Sequence, residues 1–118
     1  MKNPYVNIIG HPDDGRIELD YPELARAAAD SGVLIEVNNS SLKPGSFRLN
    51  AAQNYPKLLE ECLKYNVCII IDSDSHIHTD IGECGEALEL VRDFGYPRDL
   101  IANANVQRLK ERLFLRRK

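Results

Sequence analysis

Short apolar runs separated by amphipathic helical segments predict an α/β fold built from parallel β/α units. Three observations carry this reading. Residues 5–9, 33–37 and 67–71 are brief runs rich in Val and Ile, the signature of strands buried on both faces. The stretches between them show apolar residues at helical spacing. All three histidines fall just after the ends of these runs, where parallel α/β folds collect their working residues.

Each element has its own local cause. The run at 5–9 leads into Gly10-His11-Pro12-Asp13-Asp14-Gly15, with Asp13 and Asp14 read as a solvated turn. Pro22 suits a first helical position, and Gly32 suits a left-handed close. After the strand at 33–37 comes Asn38-Asn39-Ser40-Ser41. The next helix sets Tyr55, Leu58, Leu59, Cys62 and Leu63 on one face. Asn54 is its expected cap, because Pro56 is tolerated best in a first turn.

The strand at 67–71 runs into Asp72-Ser73-Asp74-Ser75-His76-Ile77-His78. Asp80-Ile81-Gly82-Glu83 has capping-box spacing. It predicts a helix that turns Cys84, Ala87, Leu88 and Val91 inward and stops at Gly95. Residues 100–102 are a weaker candidate for a fourth strand. Asn105 is positioned to cap a last helix with Val106, Leu109 and Leu113 inward. The order is β-α-β-α-β-α-(β)-α, and the intervening crossovers imply parallel pairing.

The 118 residues fit a single domain spanning 1–118, and 43% hydrophobic content is enough for one core. A net charge of −3 sets no general bias toward nucleic acid or membrane. Met1-Lys2-Asn3-Pro4 does not begin a secretory signal, and no apolar stretch reaches membrane-span length. Cys62, Cys68 and Cys84 are odd in number and lie in apolar patterns, which reads as buried thiols in a reducing cytoplasm. Six of the 15 basic residues (Arg108, Lys110, Arg112, Arg116, Arg117 and Lys118) crowd the last eleven positions. No aromatic residue interleaves with them as a base-stacking platform requires. Cations at a helix C-terminus complementing the dipole are the favoured reading over nucleic-acid contact.

The chemistry concentrates at the strand ends. Asp74 and His76 are two residues apart, so extended geometry would turn both to one face as ligands of one metal. His11 would add a third donor from another strand end. Imidazole and carboxylate without thiolate suit Zn, Mn or Fe. The alternative is a polar loop in which an aspartate caps a turn and His76 is solvated. His78 extends the spacing to His-x-His and reads more readily as exposed. Asn38, Asn39, Ser40 and Ser41 have the donors to bind an anionic substrate; they also have the side chains to cap their own backbone.

Taken together, Ile9-Gly10-His11-Pro12, Glu36-Val37-Asn38-Asn39-Ser40-Ser41 and Ser73-Asp74-Ser75-His76 resemble the PHP (polymerase and histidinol phosphatase) family. Ile81-Gly82-Glu83 and the segment 105–109 extend the likeness to nearly the whole chain, closest to a subgroup of small bacterial zinc-dependent phosphatases. The resemblance implies a distorted β/α barrel with two or three metals at its carboxyl mouth. His11, Asp74 and His76 would be the catalytic metal ligands, and Asn39 would line the mouth beside Asn38 and Ser40. A metal-bound hydroxide would attack a phosphorylated small-molecule substrate.

Two departures stand out. Asp13 replaces the family's usual Gly after His-Pro, and the first-strand His-x-His pair with its further His and Glu ligands is absent. A full barrel takes about 250 residues, so the chain matches its C-terminal half. The expectation is a metal-dependent phosphoesterase completed by a missing half or by a second copy. The alternatives are a non-catalytic barrel fragment that binds metal or phosphate and, less favoured, a nucleic-acid-processing module.

Overall fold

The computed structural model describes residues 1–114. Its elements are β1 (Ile8–Ile9), α1 (Tyr21–Ser31), β2 (Leu34–Asn38), α2 (Asn39–Leu42), α3 (Ala51–Lys64), β3 (Ile69–Asp72), α4 (Gly85–Phe94) and α5 (Val106–Phe114). The strands form one sheet in the order β1-β2-β3. Both pairings are parallel, with Ile8 opposite Leu34 and Ile35 opposite Ile69. The α/β class and the parallel pairing therefore hold. Among the described residues the sheet is open, with no closure into a barrel.

The expected fourth strand contracts to a single parallel bridge between Ile101 and Ile69. A side chain replaces the rest of it. Asn103 donates from Nδ2 to the Ile71 carbonyl at 2.6 Å and accepts the Ile71 N–H on Oδ1 at 3.1 Å. That amide supplies the donor and acceptor a neighbouring strand would present, so the β3 edge is satisfied without one.

Helix α1 begins and ends as its sequence dictates. The Asp20 carboxylate accepts the Glu23 N–H at 2.9 Å, and Gly32 closes the helix at φ 66°. Helix α3 differs from expectation. It starts four residues before Pro56's first-turn limit would place it, with Asn50 and not Asn54 at the cap and Pro56 inside the helix. The burial of Ala51 and Tyr55 outweighs the backbone bond that proline forfeits.

Helix α4 also departs from expectation. Asp80 ends a 3₁₀ turn, His78–Asp80, and does not cap a helix. The helix starts at Gly85, where the Asn39 side chain accepts the Ala87 N–H at 2.8 Å. A cap is thus delivered from α2, far away in sequence. Gly95 ends α4 as expected, at φ 81°. Asn105 caps α5 by accepting the Arg108 N–H at 2.7 Å.

Two layers of packing hold the sheet. On one face Ile35, Val37, Ile69 and Ile71 meet Ala25 and Ala28 of α1, Tyr55, Leu58 and Leu59 of α3, and Ala87 and Val91 of α4. On the other, Leu34, Cys68 and Ile70 pack with Ala102 against Leu109 and Leu113 of α5. Leu88 and Val106 were expected inward and are exposed, at 54% and 68%. Cys62 and Cys68 are buried free thiols, and burial pushes Cys62 up to about 12. Strand alternation puts Glu36 and Asn38 on the same face as Leu34, and Asp72 on the same face as Ile70. That face carries apolar residues at its amino end and polar ones at its carboxyl end. Among the described residues no helix is long and apolar enough to cross a membrane.

Candidate functional site

The carboxyl ends of the three strands meet around His11. The residue stands in the left-handed region, at φ 51°, as the chain leaves β1. Its backbone N–H donates to Glu36 Oε2 at 2.6 Å, tying the turn to the end of β2. On the ring, Nδ1 faces Asn38 Nδ2 at 3.4 Å and Glu36 Oε2 at 3.9 Å. Nε2 faces Asp74 Oδ2 at 3.5 Å and Arg48 Nη2 at 3.2 Å.

Of the expected ligands, the structure brings together His11 and Asp74. His76 goes elsewhere, for a backbone reason. Extended geometry ends at Asp72, and Asp74 turns to φ 48°. The two-residue alternation that would align Asp74 with His76 is thereby broken. His76 is exposed, with Nδ1 2.8 Å from the Asp74 carbonyl. His78 is exposed in the following 3₁₀ turn.

Asn38, Asn39 and Ser40 are spread over two environments. Both asparagines are fully buried, whereas Ser40 is half-buried. Asn38 Oδ1 accepts the Ser41 N–H at 2.9 Å, and its Nδ2 donates to Glu36 Oε1 at 3.3 Å. Asn39 spends its amide on Ala87 and on Glu86 Oε2, the latter at 2.9 Å. Asn38 caps its own backbone, as one of the two readings has it, whereas Asn39 caps α4. They fix the spatial relation of β2, α2 and α4.

The turn before Gly15 is not solvated. Asp13 is fully buried and accepts the Tyr55 hydroxyl proton at 2.7 Å. The same hydroxyl oxygen accepts the Asn38 N–H at 2.7 Å, so one phenol links three segments. Burial, with Asp13 nearby, pushes that phenol well above its ordinary value. Asp14 is 5% exposed and pairs with Arg16 and Arg48. The Arg16 guanidinium, assisted by Arg48, holds its carboxyl well below the usual carboxylate range. Both aspartates have partners far off in the chain, and a solvated-turn reading had no access to them.

Glu36, Asp72 and Arg48 also belong to the site. The sequence contained a signal for the two acids, since each interrupts or ends an apolar strand on the face of the alternation opposite the main core. Arg48 carried none. Asp72 is pushed up to about 7, first by burial and then by the Glu36 charge, with Asp74 adding to it. Its Oδ1 is buried without a partner.

This shift has a definite sign. The fold favours the protonated carboxyl, so the stabilising contribution is complete below the ordinary value near 3.8 and disappears as pH rises through about 7. In chelator-containing buffer, Asp72→Asn is expected to be more stable than the wild type at pH 8. Its melting temperature should also change less between pH 5 and 8. Parallel melting curves for the two proteins over that range would count against a strained Asp72.

Glu36 and Asp74 beside the His11 ring are donor types suited to a divalent cation. The fit is nevertheless incomplete. Among the described residues, no group of three or more His, Cys, Asp or Glu side chains is arranged to hold a metal ion. Arg48 supplies the positive charge at His11 Nε2.

The basic C-terminal segment has a structural use where it is described. Arg108 donates to the Arg98 and Ile101 carbonyls and pairs with Asp99, fastening α5 to the preceding turns. Arg116, Arg117 and Lys118 lie outside the described residues.

Comparison with known proteins places this geometry in context. No protein-family model matches the chain. It is 36% identical over 109 residues to a probable phosphatase of Clostridium novyi, an overlap of 92% of this chain and 44% of that protein. A probable phosphatase of Thermoanaerobacter sp. is 36% identical over 113 residues, covering 96% of this chain and 45% of the relative. One from Caldanaerobacter subterraneus subsp. tengcongensis is 35% identical over all 118 residues and 46% of its own length. The chain spans less than half the length of the curated relatives it matches.

Proposed function

We propose that the chain contributes to a metal-dependent phosphatase acting on phosphate esters, with a site completed beyond one copy of the chain. The carrying observation is the meeting of His11 Nε2 and Asp74 Oδ2 at 3.5 Å across two strand ends. Its context is similarity, over the whole of this chain and 46% of the relative, to a probable phosphatase. In this reading His11, Asp74 and His76 are metal ligands, with zinc the first candidate and manganese or iron the others. His76 is exposed, with its Nδ1 at the Asp74 carbonyl, and would serve a donor set assembled from another segment. Such a metal, when bound, supplies a Lewis acid and an activated water.

The remaining residues prepare that arrangement. Glu36 fixes His11 through its backbone N–H. Asn38 orients Glu36, and Asn39 locks α4 beside the mouth. Ser40, partly open to solvent, is the member of the trio left to meet substrate. The barrel architecture of the PHP family belongs to the same proposal: the open sheet is one part, and a second copy or a further segment closes it. Sedimentation tests the second-copy version, since a clean monomer at micromolar concentration contradicts it.

The activity test uses p-nitrophenyl phosphate with zinc, manganese or iron added to chelator-treated protein. His11→Ala, Asp74→Asn and His76→Ala should each cut any metal-stimulated rate by at least about a hundredfold, given the several kcal/mol a metal contributes. Far-ultraviolet circular dichroism should be unchanged. A full rate in any one variant removes that residue from the ligand set. That the described residues hold no complete donor group favours a second reading, a fragment that binds metal or phosphate without turnover. Metal-dependent phosphate binding without hydrolysis in the assembled protein would select it.

A further inference from the structure

Two features have no part in the site above: an apolar groove on the outer side of α4 and the basic end of the sequence. The groove has a volume of about 460 Å³, with Leu42, Pro56, Leu90 and Phe94 in its lining. Leu42, Leu90 and Phe94 pack on the main core from outside and remain half-buried. Glu86, Glu89 and Asp93 stand beside them. Positions 86, 89, 90, 93 and 94 follow the spacing of one helix face. Carboxylates and apolar side chains therefore share a single stripe.

The charges around this stripe do not cancel. Lys43 pairs with Asp80 and Glu83 at 3.7 and 3.6 Å, and Arg92 Nε stands 3.6 Å from Asp93. Lys57, exposed on α3 beside Pro56, adds one more cation. Five carboxylates still stand against three cations. Glu86 is held by an amide, the Asn39 Nδ2 at 2.9 Å, and not by a cation.

An occupant that fits this groove carries a compact run of cations and an apolar side chain for the floor. Leu115-Arg116-Arg117-Lys118 has that composition, with three positive charges in four residues. The segment lies outside the described residues and continues from α5. Helix α5 packs on the sheet face opposite the one that carries the groove. Four residues reach about 14 Å at full extension, so the layer order points to the groove of another copy. We propose that segment 115–118 of one copy docks in the groove between α3 and α4 of a second copy. The two surfaces differ, so the contact is head-to-tail. It needs neither metal nor turnover and is separate from closure of the sheet.

The test is sedimentation velocity at micromolar concentration. The wild type should associate, and raising salt from about 50 mM to about 0.5 M should weaken association about tenfold, as screening of exposed ion pairs does. Deleting residues 115–118 should weaken it as much. Glu89→Lys/Asp93→Lys, at two exposed positions, and Arg116→Glu/Arg117→Glu should each prevent self-association. An equimolar mixture of these two variants should associate again, because a reversed tail then meets a reversed groove. Circular dichroism matching the wild type qualifies both variants, and the deletion decides the matter if the groove variant fails to fold.

A monomeric wild type, association untouched by the deletion, or a mixture of folded variants without rescue overturns the contact. Cross-linking of the segment to the groove within a monomer would assign it to its own chain and overturn it likewise. Association that survives the deletion would remove this contact while leaving the second-copy version of the phosphatase reading in place.

Discussion

Tyr55→Phe is expected to destabilise the fold by about 2–5 kcal/mol, although it removes a single oxygen. That oxygen donates to Asp13 and accepts from the Asn38 backbone, both at 2.7 Å and all of it buried. Its loss strands two groups at once. The Asn38 N–H has no route to water, and Asp13, whose Oδ2 is already buried without a partner, loses the bond on its other oxygen. Denaturant titration should show a lower midpoint at unchanged slope. The neutral double variant Asp13→Asn/Tyr55→Phe should lose less than the sum of the single losses, because the stranded charge is gone. Strict additivity would dissolve the network as a unit.

Leu59→Ala should cost about 2–5 kcal/mol by a different route, cavity formation. The side chain is fully buried in the main core, between the sheet and α3, where neighbours cannot collapse freely into the vacated space. Leu88 provides the contrast. At 54% exposed, its replacement by Ala should fall within about 0.5 kcal/mol of the wild type. In a competent phosphatase, Leu59→Ala lowers the unfolding temperature without a selective change in metal content or substrate affinity. Similar losses for Leu59→Ala and Leu88→Ala would contradict the packing described here.

What the sequence made legible were features decided locally. The Val- and Ile-rich runs at 33–37 and 67–71, the left-handed glycines Gly32 and Gly95, and the Asn105 cap need only their neighbours and are found close to where expected; the run at 5–9 contracts to Ile8–Ile9, with Tyr5 exposed. The failures share a cause of the opposite kind. Helix α4 starts at Gly85 because Asn39, from another element, supplies its cap. Asp13 and Asp14 are buried because Tyr55 and Arg48 reach them across long stretches of chain. The expected fourth strand is short because the Asn103 amide satisfies the edge of β3.

The site divides along the same line. The strand-end location was readable, and His11 with Asp74 follows from it. The separation of His76 depends on one backbone rotation at Asp74 that no spacing rule anticipates.

The central claim is that His11 and Asp74 supply part of a metal centre that needs donors from beyond one copy. Elemental analysis of tag-free protein, purified without chelators and separated by size, addresses it most directly. The prediction is stoichiometric zinc, manganese or iron in the assembled fraction, little in any monomer, and loss of the metal in His11→Ala. Metal-free assemblies, or metal retained in full by His11→Ala, would contradict it.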